Sequence, residues 1–217
     1  MMAMRLMTGR TLRHLKKQQE VIQPFKYLLV LDFEATCEKD IPIMTPEIIE
    51  FPCLALNTES WEVDKTFHRY IKPRVNPLLS PFCTELTGIM QETVDNEQHF
   101  PQVLEDFRNW VEQNELNGDK SAFVTCGDWD LKVMLPSQCA IDGLAVPEYL
   151  KTWINLKTSY CEATHYYPRS LRDMIARLKL PSQGRLHSGI HDSINMIRVI
   201  EMLAKSYHAK FVLTSSC

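Results

Sequence analysis

Across its 217 residues the chain has no run of eighteen or more uncharged apolar residues, the length a helix needs to span a bilayer. No apolar segment with a small-residue cleavage site follows the first methionine, so neither a membrane partner nor a secretory leader is expected. Patterned cysteine is also missing. The seven cysteines, at 37, 53, 83, 126, 139, 161 and 217, are odd in number and nowhere spaced CxxC. That argues against a disulfide framework and a zinc knuckle, and fits a reducing compartment. Charge of one sign is scarce as well: 24 Lys and Arg against 27 Asp and Glu leave a net charge of −3. The molecule as a whole therefore does not attract polyanions, and any nucleic-acid site must be a local basic patch or a metal centre. A soluble protein of the cytoplasm or nucleus is expected.

Apolar residues, 45% of the chain, suffice for one full-sized α/β domain rather than two. Residues 1–24 stand apart, because Arg5, Arg10, Arg13, Lys16 and Lys17 all precede the first acid, Glu20, and Pro24 punctuates the segment before the first strand. The expectation is a basic N-terminal arm over 1–24 and a folded domain over 25–217. A solvated helix, a mitochondrial presequence and a phosphate-binding arm all fit that composition.

From Lys26 onward, 26–33, 48–56 and 61–71 read as strands of an antiparallel meander, the last alternating polar and apolar residues. A short helical stretch follows at 80–92. A longer helix is expected over 101–115, where Pro101 suits the first turn and Val103, Leu104, Phe107, Trp110 and Val111 share a face. Strands at 121–126 and 152–156 then alternate with helices, one of them over 130–141. The segment 188–206 keeps Ile190, Ile194, Ile197, Ile200 and Leu203 near helical spacing and closes the fold. The class is α/β, a mixed five-stranded sheet flanked by helices.

The chemistry gathers where these elements end. In LLVLDFEAT, residues 28–36, Asp32 and Glu34 share a strand face while Phe33 turns to the other. Two adjacent, partly buried carboxylates repel, and a divalent cation between them resolves the conflict; a solvated strand rim is the plainer reading of that pair alone. In CGDWD, residues 126–130, Asp130 stands where a strand gives way to a helix, a place that also suits an ordinary N-cap. In HSGIHD, residues 187–192, a glycine-bearing loop carries His187 onto the closing helix, whose first turn carries Asp192. The conjunction of the three in this order says more than any one of them.

With these residues in hand, the sequence resembles the DEDD exonucleases of the ribonuclease-H-like fold, in their histidine-bearing branch. Asp32, Glu34, Asp130 and Asp192 match the metal ligands, and His187, five residues before the last of them, matches the general base. Ser188 stands where the sister branch has tyrosine. LDFEATC, PEIIEFP, FCTELTGI, CGDWD, WINLK and RLHSGIHD, spread over residues 26–206, are similar to the enhanced-RNAi and histone-mRNA 3′→5′ exonucleases.

The resemblance implies two Mg²⁺ or Mn²⁺ ions on the four carboxylates, with Glu34 and His187 catalytic. It also implies release of nucleoside 5′-monophosphates from the 3′ end of single-stranded or 3′-overhang nucleic acid. RNA is favoured; a DNA-preferring repair exonuclease and a non-catalytic nucleic-acid-binding adaptor are the alternatives. Substrate contacts are expected from Phe33, Ala35, Leu86, Thr87 and Trp129, with the aromatics either stacking on a base or packing in the core, the core being the plainer reading for Phe33, and with Leu86 wedging between bases and Thr87 bonding the sugar or backbone. A basic run, Arg169, Arg172, Arg177, Lys179 and Arg185 against the single acid Asp173, reads either as a solvated helix face, the plainer case, or as a phosphate track next to the histidine. With residues 1–24 alone ahead of the first strand, no separate nucleic-acid-binding domain is expected before it.

Overall fold

The computed structural model describes residues 21–40 and 43–217. Most of the expected basic arm, residues 1–20, lies outside them. Of its last residues, Gln23 is tied to the far end of the chain, donating to the Ala209 carbonyl at 3.0 Å and accepting the Phe211 N–H at 3.1 Å.

Strand β1 (Tyr27–Leu31) is central. On one side it pairs antiparallel with β3 (Ile48–Asn57), Leu31 opposite Cys53, and on the other parallel with β5 (Ser121–Thr125). Beyond β3 lies β4 (Val63–Tyr70), antiparallel, and beyond β5 lies β6 (Thr152–Asn155), parallel. Among the described residues the sheet has seven strands rather than the expected five. The additions are β2 (Glu34–Ala35) against β3 and β7 (Ser215–Ser216) against β6. Two residues are too few to show any alternation in sequence.

Side chains of β1 divide between two cores. Leu29 and Leu31 face a layer with Phe51, Phe67, Phe107 and Trp153, under α3 (Phe100–Gln113) and α4 (Leu135–Ile141). Leu28 and Val30 face the other layer, built on α5 (Leu156–Thr164), α6 (Leu171–Arg177) and α7 (Gly189–Tyr207). Burial on both faces is why this strand reads as an unbroken apolar run. The same alternation aims Asp32 and Glu34 towards α7.

Two short helices, α1 (Pro81–Thr87) and α2 (Gln91–Val94), link β4 to α3. The expected helix over 130–141 begins instead as a π-helical turn, Trp129–Met134, in which the Leu135 N–H reaches back to the Asp130 carbonyl. Pro136 follows and has no N–H to keep the ladder in α register. No helix among the described residues is long and apolar enough to cross a membrane.

Candidate active site

Strands β1 and β2 are one strand with a break. Leu31 lies opposite Cys53 and Glu34 opposite Glu50, in a single register that would set Asp32 against Pro52 and Phe33 against Phe51. Pro52 has no N–H to offer. The Phe33 N–H donates to the Asp130 carboxylate, at 2.9 Å from Oδ1. The break thus frees the Asp32 side chain at the sheet rim and draws the π-helical turn, with Asp130, against it.

The N-terminus of α7 closes on this break from the other layer. A Cβ at Gly189 would stand 2.4 Å from the Asp32 carbonyl oxygen and 3.1 Å from Pro52 Cγ, so only glycine lets the helix approach this near. Asp192, in the first turn, is thereby brought to Asp32 and Glu34, and one carboxylate oxygen from each of the three lies within 4.8 Å of the others. Asp130 adjoins the group but is turned towards the Phe33 backbone.

Packing carboxylates together shifts them upward. Burial, and then the charges of Asp130, Glu34, Asp192 and Glu50, hold the Asp32 carboxyl well above the usual range. Glu34 is pushed up to about 8, by burial first and then by Glu50, Asp192 and Asp130. Asp130 rises to about 6 through burial, opposed by the backbone N–H bonds it accepts. Burial also raises Asp192, opposed chiefly by the His187 N–H. Asp192 Oδ1 is buried without a hydrogen-bond partner among the described residues. Crowded hard oxygen donors, one of them orphaned, fit a divalent cation.

His187 is exposed on the loop before α7, with φ of 61°, a strained backbone for a side chain with a Cβ. Its N–H donates to Asp192 Oδ2 at 2.9 Å. The loop is thus anchored to a cluster carboxylate while the imidazole stands at the surface.

Glu50 is a residue of the site that none of the sequence motifs marks as functional. Fully buried on β3, it accepts the Gly189 N–H at 2.9 Å and the Ile190 N–H at 3.1 Å, and its Oε1 lies 2.8 Å from His68 Nε2. A carboxylate facing the first N–H groups of α7 satisfies donors that the helix cannot, and favours the positive end of its dipole. The signal was present in IIEFP, a charge inside an otherwise apolar strand.

A cavity of about 330 Å³ beside Glu34 brings together Phe33, Ala35, Leu86 and Trp129, and Trp129 is 47% exposed. Two of the residues expected here are held by the fold. The Phe33 ring is in the core, edge-on to Phe51 at 4.7 Å between centroids, so it is not free to stack on a base. Thr87 is buried, and its hydroxyl donates to the Cys83 carbonyl and accepts the Ile89 N–H at the end of α1. A larger cavity, about 680 Å³, is lined by Phe25, Trp61, Lys205 and His208. It lies thirteen residues along α7 from Asp192, roughly 20 Å at helical rise, and does not belong to this site.

The basic run is largely committed elsewhere. Arg177 and Arg169 approach Asp173 at 3.1 and 3.8 Å, and Arg177 also sits 3.4 Å over the Tyr166 ring. Arg185 bonds backbone carbonyls of α1. Arg172 and Lys179 make no ion pair among the described residues.

A strand-end carboxylate pair joined by acids from a second strand end and a closing helix, on this mixed sheet, defines the nuclease class of the ribonuclease-H-like fold. The chain belongs to the exonuclease (RNase T) family, whose model matches residues 29–200. It is 51% identical over 185 residues to ERI1 exoribonuclease 3 of Homo sapiens, covering 84% of this chain and 55% of that protein. Similarity to 3′-5′ exonuclease Snipper of Drosophila melanogaster is 36% over 198 residues, covering 83% of this chain and 70% of Snipper. The crystallographic nuclease domain of 3′hExo, a DEDDh family member bound to rAMP, superposes with a TM-score of 0.83 at 37% identity, covering 89% of this chain and 98% of that one. The chain spans about half the length of the bovine, human and mouse ERI1 exoribonuclease 3 proteins it matches, 55% in each.

Proposed function

We propose that this chain is a metal-dependent 3′→5′ exonuclease that shortens RNA from its 3′ end, releasing nucleoside 5′-monophosphates. The observation that carries this is the meeting of Asp32, Glu34 and Asp192 oxygens within 4.8 Å, with the His187 loop fastened to one of them. Asp32, Glu34, Asp130 and Asp192 would hold two Mg²⁺ or Mn²⁺ ions. Such ions supply charge that activates water and stabilises a leaving oxygen.

On this reading His187 takes the proton from the attacking water, since an exposed imidazole on a loop can reach a reacting group once a strand end is seated. Asp192 fixes the end of that loop, where it enters α7, through the His187 N–H. The Trp129 face and Leu86 receive the terminal base, a contact that tolerates any sequence. Phe33 and Ala35 contribute backbone and bulk to the pocket wall, and Thr87 holds the end of α1.

The test uses matched RNA and DNA oligonucleotides labelled at either end, given to the wild type and to His187→Ala with Mg²⁺ and with Mn²⁺. Mononucleotides released first from the 3′ end, faster on RNA, support the proposal. Preference for DNA would make it a repair-type exonuclease, and tight single-strand binding with no mononucleotide at any metal concentration would make it an adaptor.

A further inference from the structure

The loop between α6 and α7 is held at several points. The Asn195 side chain both accepts the Gln183 N–H and donates to the Gln183 carbonyl, each at 2.9 Å. The His187 N–H is bonded to Asp192. Asn195 and Asp192 both belong to α7, on the same wall of the site as the loop. Arg185 reaches the opposite wall. Its guanidinium donates to the carbonyl of Glu85 and approaches that of Leu86 at 3.5 Å.

Those are last-turn carbonyls of α1, which a helix leaves without partners, and α1 has no basic residue of its own in that turn. Gly88, the left-handed cap of α1 at φ of 79°, lies directly under the crossing. A Cβ there would stand 2.9 Å from Arg185 Nε and 3.0 Å from its Cδ. Leu86, whose carbonyl Arg185 approaches, lines the cavity with Trp129 and Glu34. The Arg185 donors that make these contacts face backbone oxygens and not an open phosphate track.

We propose that Arg185 is a positioning residue that clasps the His187 loop to α1, so that the helix lining the nucleotide pocket and the histidine two residues along the loop move together. This rests on the reading of His187 as the base. A base displaced by an ångström loses much of its rate, whereas the pocket itself is untouched. Loss of the clasp therefore falls on turnover rather than on binding.

The experiment compares kcat, KM, the pH profile of kcat and the salt dependence of RNA binding on a single-stranded RNA oligonucleotide with Mg²⁺. The variants are Arg185→Ala, Arg185→Lys, Gly88→Ala and His187→Ala, with melting temperature as the fold control. Arg185→Ala is expected to lower kcat about 10- to 100-fold, with KM changed by less than about twofold and the salt slope of binding unchanged. Arg185→Lys recovers part of the loss, because an ammonium can still meet the carbonyls. Gly88→Ala reproduces the loss by pushing a methyl group into Arg185, and the double variant falls no lower than Arg185→Ala.

Wild-type turnover in Arg185→Ala overturns the proposal. So does a loss confined to KM with a shallower salt slope, which would mark Arg185 as a phosphate contact. Should Gly88→Ala melt early, the two Arg185 variants decide. Full turnover in His187→Ala would overturn the underlying reading and the clasp with it, a result distinct from inactive His187→Ala beside fully active Arg185→Ala.

Discussion

Asp192 divides its carboxylate between two tasks: Oδ2 receives the His187 N–H at 2.9 Å, Oδ1 is buried without a partner among the described residues, and one of its oxygens lies within 4.8 Å of oxygens of Asp32 and Glu34. One side chain thus joins the loop of the proposed base to the proposed metal cage. Replacing the imidazole should leave the backbone bond, and so the cage, intact. His187→Ala is expected to lose about 10²- to 10⁴-fold in kcat while calorimetric Mn²⁺ affinity stays near wild type. Loss of both together would make the histidine part of the cage instead.

Repulsion within the cage sets a pH dependence. Glu34 keeps its proton up to about 8 in the fold, against 4.5 ordinarily, and Asp130 up to about 6, against 3.8. Where a folded pKa is raised, the native state holds more protons than the unfolded one. Stability then declines as pH rises through the interval between the two values. The melting temperature of the metal-free protein is expected to fall from about pH 4.5 to pH 8, and Mn²⁺ should raise it more at pH 8 than at pH 5. A metal-free melting temperature that climbs over that range would contradict the assignment.

The same repulsion means that a functional carboxylate works against the empty fold. Asp32→Asn removes the charge that its neighbours oppose, so the metal-free variant should melt higher than the wild type while turnover disappears. Each kcal/mol relieved corresponds to about 2–4 °C for a domain of this size. A lower melting temperature would show that Asp32 is held by stabilising bonds rather than crowded by like charge.

Gly189 and Glu50 govern where α7 starts. Gly189→Ala places a methyl group against the Asp32 carbonyl and should cost about 1–3 kcal/mol, with activity falling further than stability because Asp192 is displaced. Glu50→Ala leaves two α7 N–H groups and His68 without their acceptor, a loss of about 1–3 kcal/mol. Chemical denaturation reads both costs, and unchanged midpoints would remove the argument for this junction.

How far the sequence disclosed this site depends on what each residue does locally. Asp32 and Glu34 were legible because strand alternation alone places them on one face, and Asp192 because the isoleucine spacing of the closing helix locates its first turn. Glu50 was hidden within a buried strand, where its role comes from a helix 139 residues away in sequence. Phe33 and Thr87 are the opposite case. They sit beside functional residues, but the Phe51 ring and the Cys83 carbonyl claim them first. The π-helical turn arises from Pro136 meeting a helix that periodicity alone drew as regular. Arg185 reads as one basic residue among five, since its partners are carbonyls 99 and 100 residues away.

Isothermal titration of the metal-free protein with Mn²⁺, in wild type and in Asp32→Ala, probes the convergence of these acids most directly. The account predicts binding at two sites in the wild type and its loss in the variant, with the fold retained. Undiminished binding in Asp32→Ala, or none in the folded wild type, would contradict it.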